Sequence, residues 1–132
     1  MARRKKLWSK PSIYTTLDGR EVSMDSTWEV AAAKRLDDLG VQWERDKNIR
    51  LNYLTRGKRK RYYIPDFYLP DYDLYIEVKG DWTDAARHKM KDVQERNPVR
   101  ILLLESLSEI SELQLKMLTR LLIVIIIARD VT

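Results

Sequence analysis

Hydrophobic and polar positions change period several times along the chain, and each change marks an element. Trp28, Ala32, Leu36 and Leu39 recur at helical spacing. Ser26-Thr27-Trp28-Glu29 at their start matches a capping box, in which serine and glutamate satisfy free amides of the first turn. Gly40 follows as a C-terminal stop. Ile49, Leu51 and Tyr53 then alternate with polar neighbours, as a half-buried strand does. Arg56 to Arg61, with Gly57, reads as a hairpin tip, and Tyr62 to Leu69 as the second strand. Pro65 inside it lacks an amide donor, which predicts a bulge or an unpaired edge position. Pro70-Asp71 makes a turn, after which Tyr72, Leu74, Ile76 and Val78 alternate with Asp73, Tyr75, Glu77 and Lys79 in a third strand.

Thr83 is a good N-cap for a second helix to about Arg96, with Ala86, Met90 and Val93 inward and Asn97-Pro98 as its stop. Val99 to Leu104 is a continuous apolar run, which predicts a central strand. Ser108 to about Arg120 reads as a third helix with Ile110, Leu113, Met117 and Leu121 on one side, and Leu121 to Ala128 as a last strand. Residues 1–24 read as a basic, partly irregular N-terminal arm with Pro11, the turn pair Asp18-Gly19 and a short strand near Ser12 to Leu17. Residues 25–132 read as a single domain. The order predicts an α/β or α+β fold: a mixed sheet flanked by helices, α-β-β-β-α-β, with a C-terminal helix and an extra strand.

Composition narrows the classes. The 132 residues fit one domain. There is no cysteine, which excludes disulfide scaffolds, thiolate metal sites and cysteine nucleophiles. The longest apolar stretch, Leu121 to Ala128, falls short of the roughly 20 residues that a membrane span needs. The basic N-terminal segment is not followed by an apolar run long enough for a signal peptide, so a cytoplasmic location is expected. The net charge of +5 is moderate, but the cations are clustered. Arg3, Arg4, Lys5, Lys6 and Lys10 lie in an acid-free segment, and Arg56, Lys58, Arg59, Lys60 and Arg61 in the hairpin tip. Such clusters beside aromatic residues point to a polyanion, most often nucleic acid. The alternative is a solvated basic surface without a partner.

The chemistry concentrates in Tyr63-Ile64-Pro65-Asp66-Phe67 and Ile76-Glu77-Val78-Lys79-Gly80. Glu77 and Lys79 are two apart on a strand, so both point to one face, with Leu74, Ile76 and Val78 on the other. Asp66, on the preceding strand, can reach the same edge. Two carboxylates from adjacent strands make a hard-ligand site suited to Mg²⁺. An ammonium beside them stabilises charge developing on a phosphate. Phosphodiester hydrolysis can be run by these parts without histidine or cysteine. Against this, an acid and a lysine at i, i+2 are usually solvated, and Asp66 can also be read as a turn or bulge residue.

Pro65-Asp66 followed by Glu77-x-Lys79 resembles the signature of the PD-(D/E)XK nuclease superfamily, over roughly residues 25–105. That resemblance implies a restriction-endonuclease-like core. Within it, Leu69-Pro70, Gly80, Trp82, Arg87, Lys89 and Pro98 add a closer likeness to the junction-resolving endonucleases of T-odd bacteriophages, which cut branched DNA as intertwined dimers. The resemblance implies an Mg²⁺-dependent endodeoxyribonuclease, with Mn²⁺ as a substitute, acting on double-stranded or branched DNA, a homodimer being one form. It also implies a host-cytoplasm location for a phage-encoded protein. Asp66 and Glu77 would hold the metal with the Val78 carbonyl. Glu29 would complete the site from the first helix, with Glu44 a weaker rival, although Glu29 can also be read as only a helix cap. Lys79 would position the attacking water. Arg87 and Lys89 would reach the phosphate, or lie on a solvated helix face. His88 is expected to be exposed, and Trp82 to pack in the core. Two other readings stay open: a catalytically silent nuclease-fold module that binds DNA or RNA or serves assembly, and a structural protein whose acids are surface charges.

Overall fold

The computed structural model describes residues 10–119. Seven strands and three helices follow one another: β1 (Ser12–Thr15), β2 (Glu21–Met24), α1 (Thr27–Asp38), β3 (Leu51–Leu54), β4 (Lys60–Tyr63), β5 (Phe67–Leu69), β6 (Leu74–Val78), α2 (Asp84–Arg96), β7 (Ile101–Leu104) and α3 (Leu107–Ser111). This is a mixed α/β fold of small sheets flanked by helices. The β1–β2 and β3–β4 pairs are antiparallel hairpins. The third sheet has the order β5-β6-β7, with β5 antiparallel and β7 parallel to β6. Helix α2 is the crossover that a parallel pair requires.

Both long helices start where their caps predict. Ser26 and Thr83 each accept the amide three residues on, from Glu29 and Ala86. Beyond α1, Gly40 takes a left-handed φ of 72°, the conformation that favours glycine at a helix end. The main core lies between α1 and the β5-β6-β7 sheet and is centred on Leu36, Trp43, Phe67, Leu74 and Ile76. A second cluster of Leu51, Tyr63, Met90 and Val93 joins the β3–β4 hairpin to α2. Ala86, Met90 and Val93 all face inward, as their spacing predicts.

Four expectations change. The predicted 62–69 strand is two strands in two sheets: β4 pairs with β3, β5 with β6, and the chain steps between them at residues 64–66. Pro65, unable to donate, sits at that step. The short strand expected near Ser12 to Leu17 is β1, and it is joined by a second, β2, in a hairpin over residues 12–24, with Tyr14 and Val22 packed on the core and Met24 fully buried in it. Strand β7 is not central: among the described residues it is the outer strand, and β6, carrying Glu77, is the middle one. The helix expected over 108–120 breaks after Ser111 and resumes at 115–119. The Arg35 guanidinium takes the Leu113 carbonyl at 2.9 and 2.7 Å, in place of a helix amide. The break shifts the phase, so Leu118 is buried and Met117 is exposed. The strand expected at Leu121 to Ala128 lies outside the described residues. Among the described residues no helix is long and apolar enough to cross a membrane.

Candidate metal and nucleic-acid site

Asp66 and Glu77 are brought together by the step between sheets. Strand β5 begins at Phe67, paired with Ile76, so the residue before it, Asp66, lies level with Glu77. There the ladder continues through a side chain: Asp66 Oδ2 accepts the Val78 amide at 2.8 Å. Glu77 is 7 % exposed, on the middle strand. Among the described residues its Oε1 has no well-aligned hydrogen-bond donor; the polar groups beside the carboxyl are Asp66 and the buried Tyr63 hydroxyl.

Burial and then the facing Glu77 charge push Asp66 well above the usual carboxylate range. Burial likewise raises Glu77, opposed by contact with Asp66 and Tyr63 and by the ammonium groups of Lys89 and Lys79. Two acids removed from water and set against each other retain a proton or draw in a cation. That pair, with an orphaned buried oxygen, fits a divalent cation in the chemistry of its donors.

Lys79 lies just past β6, half-buried, its amide bonded to the Leu104 carbonyl at 2.9 Å. It lines a cleft of about 530 Å³ with Tyr53, Arg56, Gly57, His88 and Lys89. The Lys89 ammonium also rests 5.4 Å from the Tyr63 ring centre. One wall of the cleft is the β3–β4 tip and the other is the start of α2. Side chains of α2 hold the turn end of the hairpin at both backbone groups of Leu54: Asp92 Oδ2 accepts its amide at 2.7 Å, and His88 Nε2 donates to its carbonyl at 2.9 Å. His88 is therefore half-buried and bonded, not exposed as its sequence context predicts.

The other predicted cations are dispersed. Lys58, in a left-handed conformation at φ 64°, and Arg59 are exposed in the hairpin turn. Lys60 and Arg61 line a separate groove beside Tyr62 and Arg96. Arg87 faces a third groove with Trp82, Lys91 and Glu105. Arg3, Arg4, Lys5 and Lys6 lie outside the described residues. Trp82 packs against the second cluster and donates its indole N–H to Glu105 at 2.9 Å. Trp28 takes up the space at Gly80, where an added Cβ would come within 2.5 Å of its ring.

Glu29 is buried near Asp66, whose charge adds to burial in raising its pKa. Its oxygens are engaged: Oε2 accepts from the Ser26 hydroxyl at 3.0 Å and Oε1 from Arg45 Nη1 at 2.6 Å. Among the described residues no group of three or more acids or histidines is arranged to hold a metal. Glu44 is exposed, and its backbone bridges Tyr68 at the sheet edge.

Arg45 is the residue that reading the sequence missed. The signal was there in period 2: Val41 and Trp43 are buried between exposed Gln42 and Glu44, which places Arg45 on the inward side. Comparison with known proteins returns no matching family model, no matching characterised protein and no matching solved structure.

Proposed function

We propose that this protein is a divalent-metal-dependent endodeoxyribonuclease with a restriction-endonuclease-like core. The observation that carries the reading is the buried Asp66–Glu77 pair, on which the ammonium groups of Lys79 and Lys89 act from a cleft that they line with Arg56. A fold gains nothing by burying two facing carboxylates unless something positive binds them. Mg²⁺ held by Asp66 and Glu77, with the Val78 carbonyl, would supply charge stabilisation to a reacting phosphate. Lys79 holds a positive charge at the cleft wall and orients the attacking water. Lys89 adds a second charge next to the Tyr63 ring. Arg56 and the exposed Lys58 and Arg59 contact the backbone of a duplex lying along the hairpin. Asp92 and His88 keep that hairpin in place by bonding Leu54. A preference for branched DNA is part of the proposal on the strength of the sequence resemblance alone.

Plasmid nicking with Mg²⁺ tests the reading. Nicking is expected, is abolished by EDTA, and falls about 10²–10³-fold in Asp66→Asn, the scale of losing one charge-stabilising group. Cleavage that persists through both controls contradicts it. A nuclease-fold binding module is the second reading, favoured by one feature: Arg45 already neutralises the third acid, Glu29. It predicts DNA retention in a gel shift with no Mn²⁺ uptake at the carboxylates.

A further inference from the structure

We propose that Arg45 is a built-in cation that removes Glu29 from the ligand set, so that the carboxylate site takes one divalent ion, at Asp66 and Glu77. The inference rests on the metal-site reading above and concerns how many ions it accepts.

Four contacts fix Arg45. Nη1 donates to Glu29 Oε1 at 2.6 Å and to the Asp66 carbonyl at 3.2 Å. Nη2 reaches Asp25 at 3.7 Å, and the guanidinium lies 5.7 Å from the centre of the Phe67 ring. The side chains of Arg45 and Glu29 are 11 % and 8 % exposed. Releasing Glu29 to a metal would strand a buried guanidinium, which costs more than the pair is worth in water. The second oxygen of Glu29 is held by Ser26, the residue that caps α1, so turning it outward would also disturb the cap.

Glu77 offers the contrast. Among the described residues its Oε1 has no well-aligned donor, and the groups beside the carboxyl are another acid, Asp66, and the Tyr63 hydroxyl, so no cation of the chain has to be displaced there as Arg45 would be from Glu29. Arg45 lines the same concavity as Asp66 and bonds that residue's backbone carbonyl. It thus sets a permanent positive charge on the Asp66 side of the pair. A second metal ion would meet that charge and be repelled. Arg45 is a positioning residue in this account: it holds Asp66 and Glu29 and takes no part in bond making.

Mn²⁺ titration of the full chain, followed by the electron paramagnetic resonance signal of free Mn²⁺, tests this without reading activity. One ion per chain is expected. Glu29→Gln is expected to leave its affinity within twofold, and Asp66→Asn to weaken it by tenfold or more. Arg45→Gln is expected to raise the count to two, and Arg45→Lys to hold it at one. Circular dichroism checks that each variant is folded; if Arg45→Gln is not, the Glu29→Gln result decides. Two ions in the wild type, or a tenfold loss in Glu29→Gln, overturns the inference and leaves the nuclease reading standing. No uptake by the wild type overturns both.

Discussion

Glu29 on α1 and Glu77 on β6 are both carboxylates taken out of water, at 6 % and 7 % exposure. Glu29 meets a guanidinium and a hydroxyl, each within hydrogen-bond reach. Glu77 meets another acid, Asp66, and the Tyr63 hydroxyl, and among the described residues its Oε1 has no well-aligned donor. Burial raises both; at Glu29 the paired Arg45 opposes it, at Glu77 contacts with Asp66 and Tyr63 and the more distant Lys89 and Lys79 do, and Asp66 is driven up by burial and by Glu77 together. One acid is satisfied by the fold itself. The other pair is completed only by a proton or by something from outside. A buried charge that the chain leaves unbalanced is where a ligand is expected.

The largest effect that can break this contrast comes from Arg45. Arg45→Ala leaves Glu29 buried and unpaired, so a loss of about 3–5 kcal/mol is expected in urea unfolding. A loss near zero would mean that the ion pair does not carry Glu29's burial. Gly80→Ala is next. Its Cβ would meet the Trp28 ring at 2.5 Å, and that ring ties α1 to the end of β6. Overpacking of this kind costs about 1–3 kcal/mol, read by thermal melting; an unchanged midpoint would show that the ring yields freely.

Opposite signs sharpen the contrast further. In metal-free protein at neutral pH, Asp66→Asn removes a repulsion and is expected to raise the melting temperature, while Glu29→Gln strands Arg45 and lowers it. The same direction for both would dissolve the distinction. The pH dependence carries the matching sign. Acids raised in the fold hold protons that the unfolded chain has already released. Their contribution is full below the unfolded carboxylate range and is lost as pH rises through the raised values of Asp66 and Glu77. Metal-free melting temperatures should therefore fall as pH climbs towards neutral, and Asp66→Asn should flatten that fall. A rise over the same range counts against a repelling pair.

The smallest effect belongs to the hairpin. Replacing Arg56 by alanine should reduce the slope of log affinity for duplex DNA against log salt by about 0.9, the share of one phosphate contact. Arg61→Ala, in the separate groove, should leave the slope unchanged if the duplex follows the Lys79 cleft.

Much of this was legible in the sequence because it depends on local rules. The caps at Ser26 and Thr83 and the inward faces of both long helices follow from residue types and spacing. So does the pairing of Asp66 with Glu77, since a short turn between adjacent strands brings them level. What was not legible depends on partners distant in the chain. The helix break at Leu113 requires Arg35, 78 residues earlier. The split of 62–69 into two strands depends on which sheet each half joins. Period 2 turns Arg45 inward, but its bond to Glu29 depends on where α1 docks.

Isothermal titration calorimetry with Mn²⁺, on wild type and on Glu77→Gln, tests the central claim most directly. Saturable uptake by the wild type is expected, and its loss when Glu77 is replaced. Absence of uptake, or uptake unaffected by Glu77→Gln, would contradict the claim that this buried pair is built to receive a cation.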